Sequence, residues 1–176
     1  GDINADCVVD LADIAIMFED WLEIRYAGIF YTGLDFDPGW DRQGQWSYGQ
    51  PGGVGGDEWG NADPNSGVTG INVFGVNLEG DYSVDVGGPY YLTAGPFDCS
   101  GYNQIKLRFM RWLNTDSPEY CVCKIEVSTD GVTWQQVWQN QAQVTDDSWQ
   151  PVEYELGETA DGSSNRIQGD GFGASN

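Results

Sequence analysis

The chain contains no histidine, and its 7 lysines and arginines stand against 28 aspartates and glutamates. The missing imidazole removes the commonest general base, the Ser-His and Cys-His nucleophile pairs and histidine-ligated zinc together. The shortage of cations leaves a formal net charge of -21. A polyanion is repelled by such a surface, which argues against nucleic acid and anionic membranes as partners. Apolar runs long enough to span a bilayer are also missing, as are Asn-x-Ser/Thr glycosylation acceptors. Gly1-Asp2 opens directly on a motif, as expected of a mature form or of one whose leader has been removed.

What the chain has in quantity is aromatic. Eight Trp and nine Tyr in 176 residues are too many for a disordered polymer and enough to build a core. With 25 Gly and little helical periodicity, the composition predicts short strands joined by turns. Abundant carboxylates make a hard cation, calcium above all, the natural small partner.

Residues 1 to 25 read differently from the rest. Leu11, Ile14, Ala15, Phe18, Trp21 and Leu22 recur at helical spacing and predict one short amphipathic helix. From residue 26 onward the pattern is of strands. These are expected at Asn72–Asn77, around Ile105, Leu107 and Phe109, at Val122–Ser128, Thr133–Trp138 and Trp149–Leu156. Asp130-Gly131 supplies a hairpin turn, and Arg111-Trp112 breaks the alternation as a bulge would. Residues 160 to 176 are rich in Gly and Ser and predict no strand. The expected fold is mainly β: an antiparallel β-sandwich (jelly roll) over 26–176, preceded by a calcium loop and one short α-helix over 1–25.

Four cysteines, Cys7, Cys99, Cys121 and Cys123, allow three pairings. Cys121 and Cys123 lie two apart on one strand face, too stretched to bridge each other comfortably. Under oxidising conditions each is expected to pair elsewhere, Cys99 being one candidate. The paired C-x-x-C knuckles of a tetrathiolate zinc site are missing.

The sharpest motif is the segment Asp2-Ile3-Asn4-Ala5-Asp6-Cys7-Val8-Val9-Asp10-Leu11-Ala12-Asp13. An EF-hand loop presents ligands at positions one, three, five, seven, nine and twelve. Those positions are Asp2, Asn4, Asp6, Val8 (through its carbonyl), Asp10 (often through water) and Asp13. Position six, ordinarily glycine for a sharp turn, is Cys7. The competing reading is an acidic helix start without metal.

Gly1 to Leu22 resembles one half of a type I dockerin repeat, a loop-helix unit without the incoming helix of a true EF-hand. Dockerins carry two such repeats and bind a cohesin; here one is present. The stretches Gly88–Leu92, Phe97–Tyr102, Leu107–Leu113 and Ile125–Trp134 resemble the jelly-roll, MAM-like module of secreted planctomycete-type bacterial proteins. That resemblance implies the jelly-roll fold and a secreted or cell-surface location, and it says little of function. It also implies a closing strand, which is not evident before residue 176, so an open sheet edge is expected.

Three further groups stand out. Asp35 and Asp37 suggest a second calcium site or a turn capped by Asp. Trp40, Trp46, Tyr48 and Trp59 suggest sugar stacking or burial in the core. Asp57-Glu58 and Asp146-Asp147 read as solvated loops. With 28 acidic residues, a carboxylate pair at glycosidase spacing arises by chance, and no motif singles one out. The expected function is therefore a calcium-stabilised extracellular structural or adhesion module. It would associate with itself or with another extracellular protein through an open edge. The alternative is a carbohydrate-binding module of a secreted degradative enzyme, with polysaccharide as partner.

Overall fold

The computed structural model describes residues 28–56, 60–83, 87–102, 104–157, 162 and 164–170. The calcium-loop residues Asp2, Asn4, Asp6, Val8, Asp10 and Asp13, the expected helix, Cys7, and Asp57, Glu58 and Trp59 lie outside them. The chain divides into two units, Gly1–Tyr31 and Thr32–Asn176.

The second unit is mainly β and antiparallel, as the alternation predicts. Its strands are β1 (Asp41–Arg42), β2 (Trp46–Gly49), β3 (Val73–Val76), β4 (Tyr91–Phe97), β5 (Lys106–Arg111) and β6 (Asn114–Thr115). They continue with β7 (Lys124–Ser128), β8 (Gln135–Gln139), β9 (Val144–Thr145), β10 (Gln150–Glu155) and β11 (Asn165–Asp170). Five form one sheet in the order β1-β4-β11-β7-β8; β10-β5, β2-β3 and β6-β9 form two-stranded sheets. The pairing is nested: β4 takes β11 and β5 takes β10, as when a jelly roll wraps a long hairpin around itself.

Two layers meet where Trp138 of β8 approaches Tyr154 of β10, with ring centroids 6.3 Å apart. The Arg111 guanidinium of β5 lies 5.8 Å from the Trp138 ring centre. Ala94, Ile125, Val127 and Leu156 are buried in the core. On β10 burial alternates through Val152, Tyr154 and Leu156, with Pro151, Glu153 and Glu155 exposed, so one face is dry and the other wet.

Three expectations need correction. The closing strand is present: β11 pairs with β4 on one side and β7 on the other, at the centre of the sheet. The late strand thus lies inside the sheet, whose edges among the described residues are β1 and β8. β11 carries only one large apolar residue, Ile167, and compensates with buried polar side chains. Gln168 donates through Nε2 to Glu126 Oε2 at 2.8 Å, and Asn165 donates through Nδ2 to the Gly162 carbonyl. Gly95, at φ +112°, lets β11 come close; a Cβ there would sit 2.6 Å from the Asn165 carbonyl oxygen. Next, β5 ends at Arg111 and its pairing with β10 runs without a shift. The bulges fall instead at Asn165/Ile167 and Ile125/Glu126. Finally, Cys99 is a free buried thiol, so it bridges neither Cys121 nor Cys123.

Candidate binding cleft

The cleft is built from the loop at 60–68 and from two tryptophans that flank strands. Asn61 anchors the loop. Its backbone N–H donates to Asn114 Oδ1 at 3.2 Å, and Asn114 Nδ2 donates back to the Asn61 carbonyl at 3.0 Å. Asn61 Nδ2 also donates to the Thr145 carbonyl at 3.0 Å, which ties the loop to β6 and β9 together. Upstream, Gly56 adopts φ +80°, and a Cβ there would lie 1.9 Å from the Asn61 carbonyl oxygen, so only glycine permits this approach.

Trp112 follows β5 and Trp149 precedes β10. The position of Trp112 is set by Asp146, which is buried and not solvated as the sequence suggested. Its carboxylate accepts from Arg111 Nε at 2.9 Å, Arg111 Nη2 at 3.1 Å and the Leu113 N–H at 2.9 Å. The Asp146 N–H donates to the Leu113 carbonyl at 3.0 Å. One side chain thus fixes both neighbours of Trp112. A bidentate Arg–carboxylate pair suits this role because its geometry is fixed as well as its charge.

The resulting cavity has a volume of about 390 Å³, near the lower end of the roughly 300–1,000 Å³ of small-ligand sites. Asp63, Asn65 and Ser66 line it together with Trp112 and Trp149. The tryptophan rings meet edge to face, with centroids 5.6 Å apart and planes at 79°. Burial, and then the nearby Asp81 carboxylate, push the Asp63 carboxyl above the ordinary aspartate range. Trp112 Nε1 is buried and has no acceptor among the described residues. Leaving such a donor unmade costs about 1–3 kcal/mol, so an oxygen acceptor brought to it is favoured.

A second polar cluster lies away from the cleft. Asn140 is 1% exposed and clamps the segment around Cys121 and Cys123. Its Oδ1 accepts from Cys123 N–H at 2.9 Å, while its Nδ2 donates to the Cys121 carbonyl at 3.0 Å and to the Asp116 carbonyl at 3.2 Å. Its own N–H donates to the Cys123 carbonyl at 3.1 Å. Burial, followed by the Cys121 sulfur beside it, pushes the Tyr82 phenol up to about 12. Every group here has a structural use, so the cluster reads as framework.

Of the aromatic residues singled out from the sequence, Trp40, Trp46 and Tyr48 are packing residues, and Trp59 lies outside the described residues. Trp40 stacks on Phe74 at 4.9 Å and 12°. Trp46 Nε1 donates to the Tyr90 carbonyl at 3.1 Å, and the Tyr48 hydroxyl donates to the Leu34 carbonyl at 2.7 Å. Asp37 caps a turn by accepting from Gly39 N–H at 2.9 Å and pairs with Arg42 at 2.9 Å. Among the described residues no group of three or more acidic or cysteine side chains is arranged to hold a metal ion. Sequence reasoning missed the Trp112–Trp149 pair because 37 positions separate the two rings. The visible signal was the broken alternation at Trp112.

Comparison of the chain with protein-family models, with curated proteins and with solved structures finds no match.

Proposed function

We propose that the chain is a non-catalytic extracellular adhesion module that holds polysaccharide in the Trp112–Trp149 cleft. Calcium at Asp2, Asn4, Asp6, Val8, Asp10 and Asp13 would staple its N-terminal segment, as in the dockerin half-repeat those residues resemble. The observation that carries the reading is the cleft lining: two tryptophans together with Asp63, Asn65 and Ser66. Indole surfaces pack on the C–H faces of a sugar ring, while carboxylate, amide and hydroxyl groups bond its hydroxyls. The experiment is titration with a panel of soluble oligosaccharides, followed by tryptophan fluorescence, on the parent chain and on Trp149→Ala. Saturable quenching that the substitution abolishes supports the reading, and a flat response across the panel removes it.

Self-association is a second reading, on a footing other than a missing strand. Among the described residues β8 is bonded only to β7, and its sequence Gln135-Gln136-Val137-Trp138-Gln139 carries no charge to blunt the edge. Sedimentation of the parent chain against Gln136→Lys tests it. Larger species lost on substitution favour pairing at this edge, and a monomer at every concentration removes it.

A further inference from the structure

We infer that the cleft selects a single non-acidic sugar ring on a soluble chain or at a chain end, and rejects both flat crystalline polysaccharide and acidic glycans. The inference rests on the saccharide reading above and adds the ligand class.

Ring geometry carries the first half. A crystalline polysaccharide presents a plane, and gripping it requires aromatic rings that lie in a common plane. Trp112 and Trp149 instead stand at 79° with centroids 5.6 Å apart, so they form a corner. A corner meets one ring on a face and on an edge at once. The cavity volume of about 390 Å³ lies near the lower end of small-ligand sites, well short of an extended sheet of chains.

Charge carries the second half. Among the described residues no basic side chain lines the cavity, and Asp63 does. The guanidinium in the cleft's framework, that of Arg111, is engaged by Asp146 and lies over Trp138. A uronate or sulfate would therefore enter beside a carboxylate, with no compensating cation in the cavity wall, on a chain of net charge -21. A neutral hydroxyl donates to Asp63 without that penalty, and an ammonium group is attracted to it.

The test compares four probes on the full chain: short neutral oligosaccharides, short chito-oligosaccharides with free amines, oligogalacturonate, and microcrystalline cellulose in a pull-down. The expected result is binding of either or both of the first two, with no retention on cellulose and none of oligogalacturonate. Asn65→Ala, on an exposed loop position, should weaken binding several-fold with an unchanged circular dichroism spectrum, and Trp149→Ala by about tenfold or more. Tighter binding of oligogalacturonate, or retention on cellulose without binding of soluble sugars, overturns the inference while leaving saccharide recognition standing. Failure of all four probes removes both.

Discussion

In the five-stranded sheet, Ile125 and Val127 of β7 and Ala94 of β4 turn inward and are buried, and the backbone is held by ladders from β1 to β8 that two bulges interrupt. Around the cleft, the β5–β10 ladder ends at Arg111 and Gln150, β6 and β9 are two residues long, and the loop at 60–68 is held by side chains that bond to backbone. Asn61 and Asn114 exchange bonds, and Asp146 grips Arg111 and Leu113. The first region gains stability from apolar area spread over many residues. The second depends on a few buried polar groups, each of which leaves an unsatisfied partner behind when removed. Regular sheet tolerates conservative exchange, whereas the cleft should fail at single points.

That difference can be broken at Asn140, where the two ways of holding the chain overlap. Asn140→Ala strips partners from the Cys123 N–H and from the Cys121 and Asp116 carbonyls, next to the start of β7. The expected loss is about 3–5 kcal/mol, seen as a fall in the denaturant midpoint. A smaller and more local effect is expected at the cleft. Asp146→Ala leaves Arg111 and the Leu113 N–H without their acceptor and should cost about 2–4 kcal/mol. It should also weaken saccharide binding through Trp112, whereas Asn140→Ala should leave the affinity of the folded fraction unchanged.

The comparison also explains what the sequence disclosed. Strands β5, β7, β8 and β10 were legible because alternation and the Asp130-Gly131 turn are local signals. β11 was not, because a central strand built on Asn165, Gln168 and Gly169 gains its place from partners about 40 to 80 residues away. The cleft was illegible for the same reason. Asp146 looks like one more acid in an acidic chain until Arg111 and Leu113 are seen around it. Conversely, Trp40, Trp46 and Tyr48 invited a sugar-stacking reading that their ring and hydrogen-bond partners supersede.

Two smaller effects sharpen the contrast through pH. The Asp130 carboxylate accepts from the Thr133 and Val132 N–H groups and the Ser128 hydroxyl, and these bonds lower its pKa to about 2. A lowered carboxylate adds stability that is complete above the ordinary aspartate range and is lost as pH falls toward about 2. Protection of the Val132 and Thr133 amides, as exchange relative to the intrinsic rate at each pH, should therefore fall over that window in the parent chain, and should already be low at neutral pH in Asp130→Ala. Asp63 has the opposite sign. Burial and Asp81 raise its pKa, so its relative contribution is best in acid and declines as pH rises through the folded value. Asp63→Asn should thus raise the melting temperature slightly at pH 7, with the gain vanishing in acid, while it weakens sugar binding.

The most direct test of the central claim is a fluorescence titration of the full chain with neutral oligosaccharides, run beside Asp146→Ala and Trp149→Ala. Saturable quenching in the parent, lost in Trp149→Ala and weakened in Asp146→Ala, is the predicted result. A response that persists unchanged in both variants would contradict it, because the sugar would then bind somewhere other than the cleft that Asp146 holds in shape.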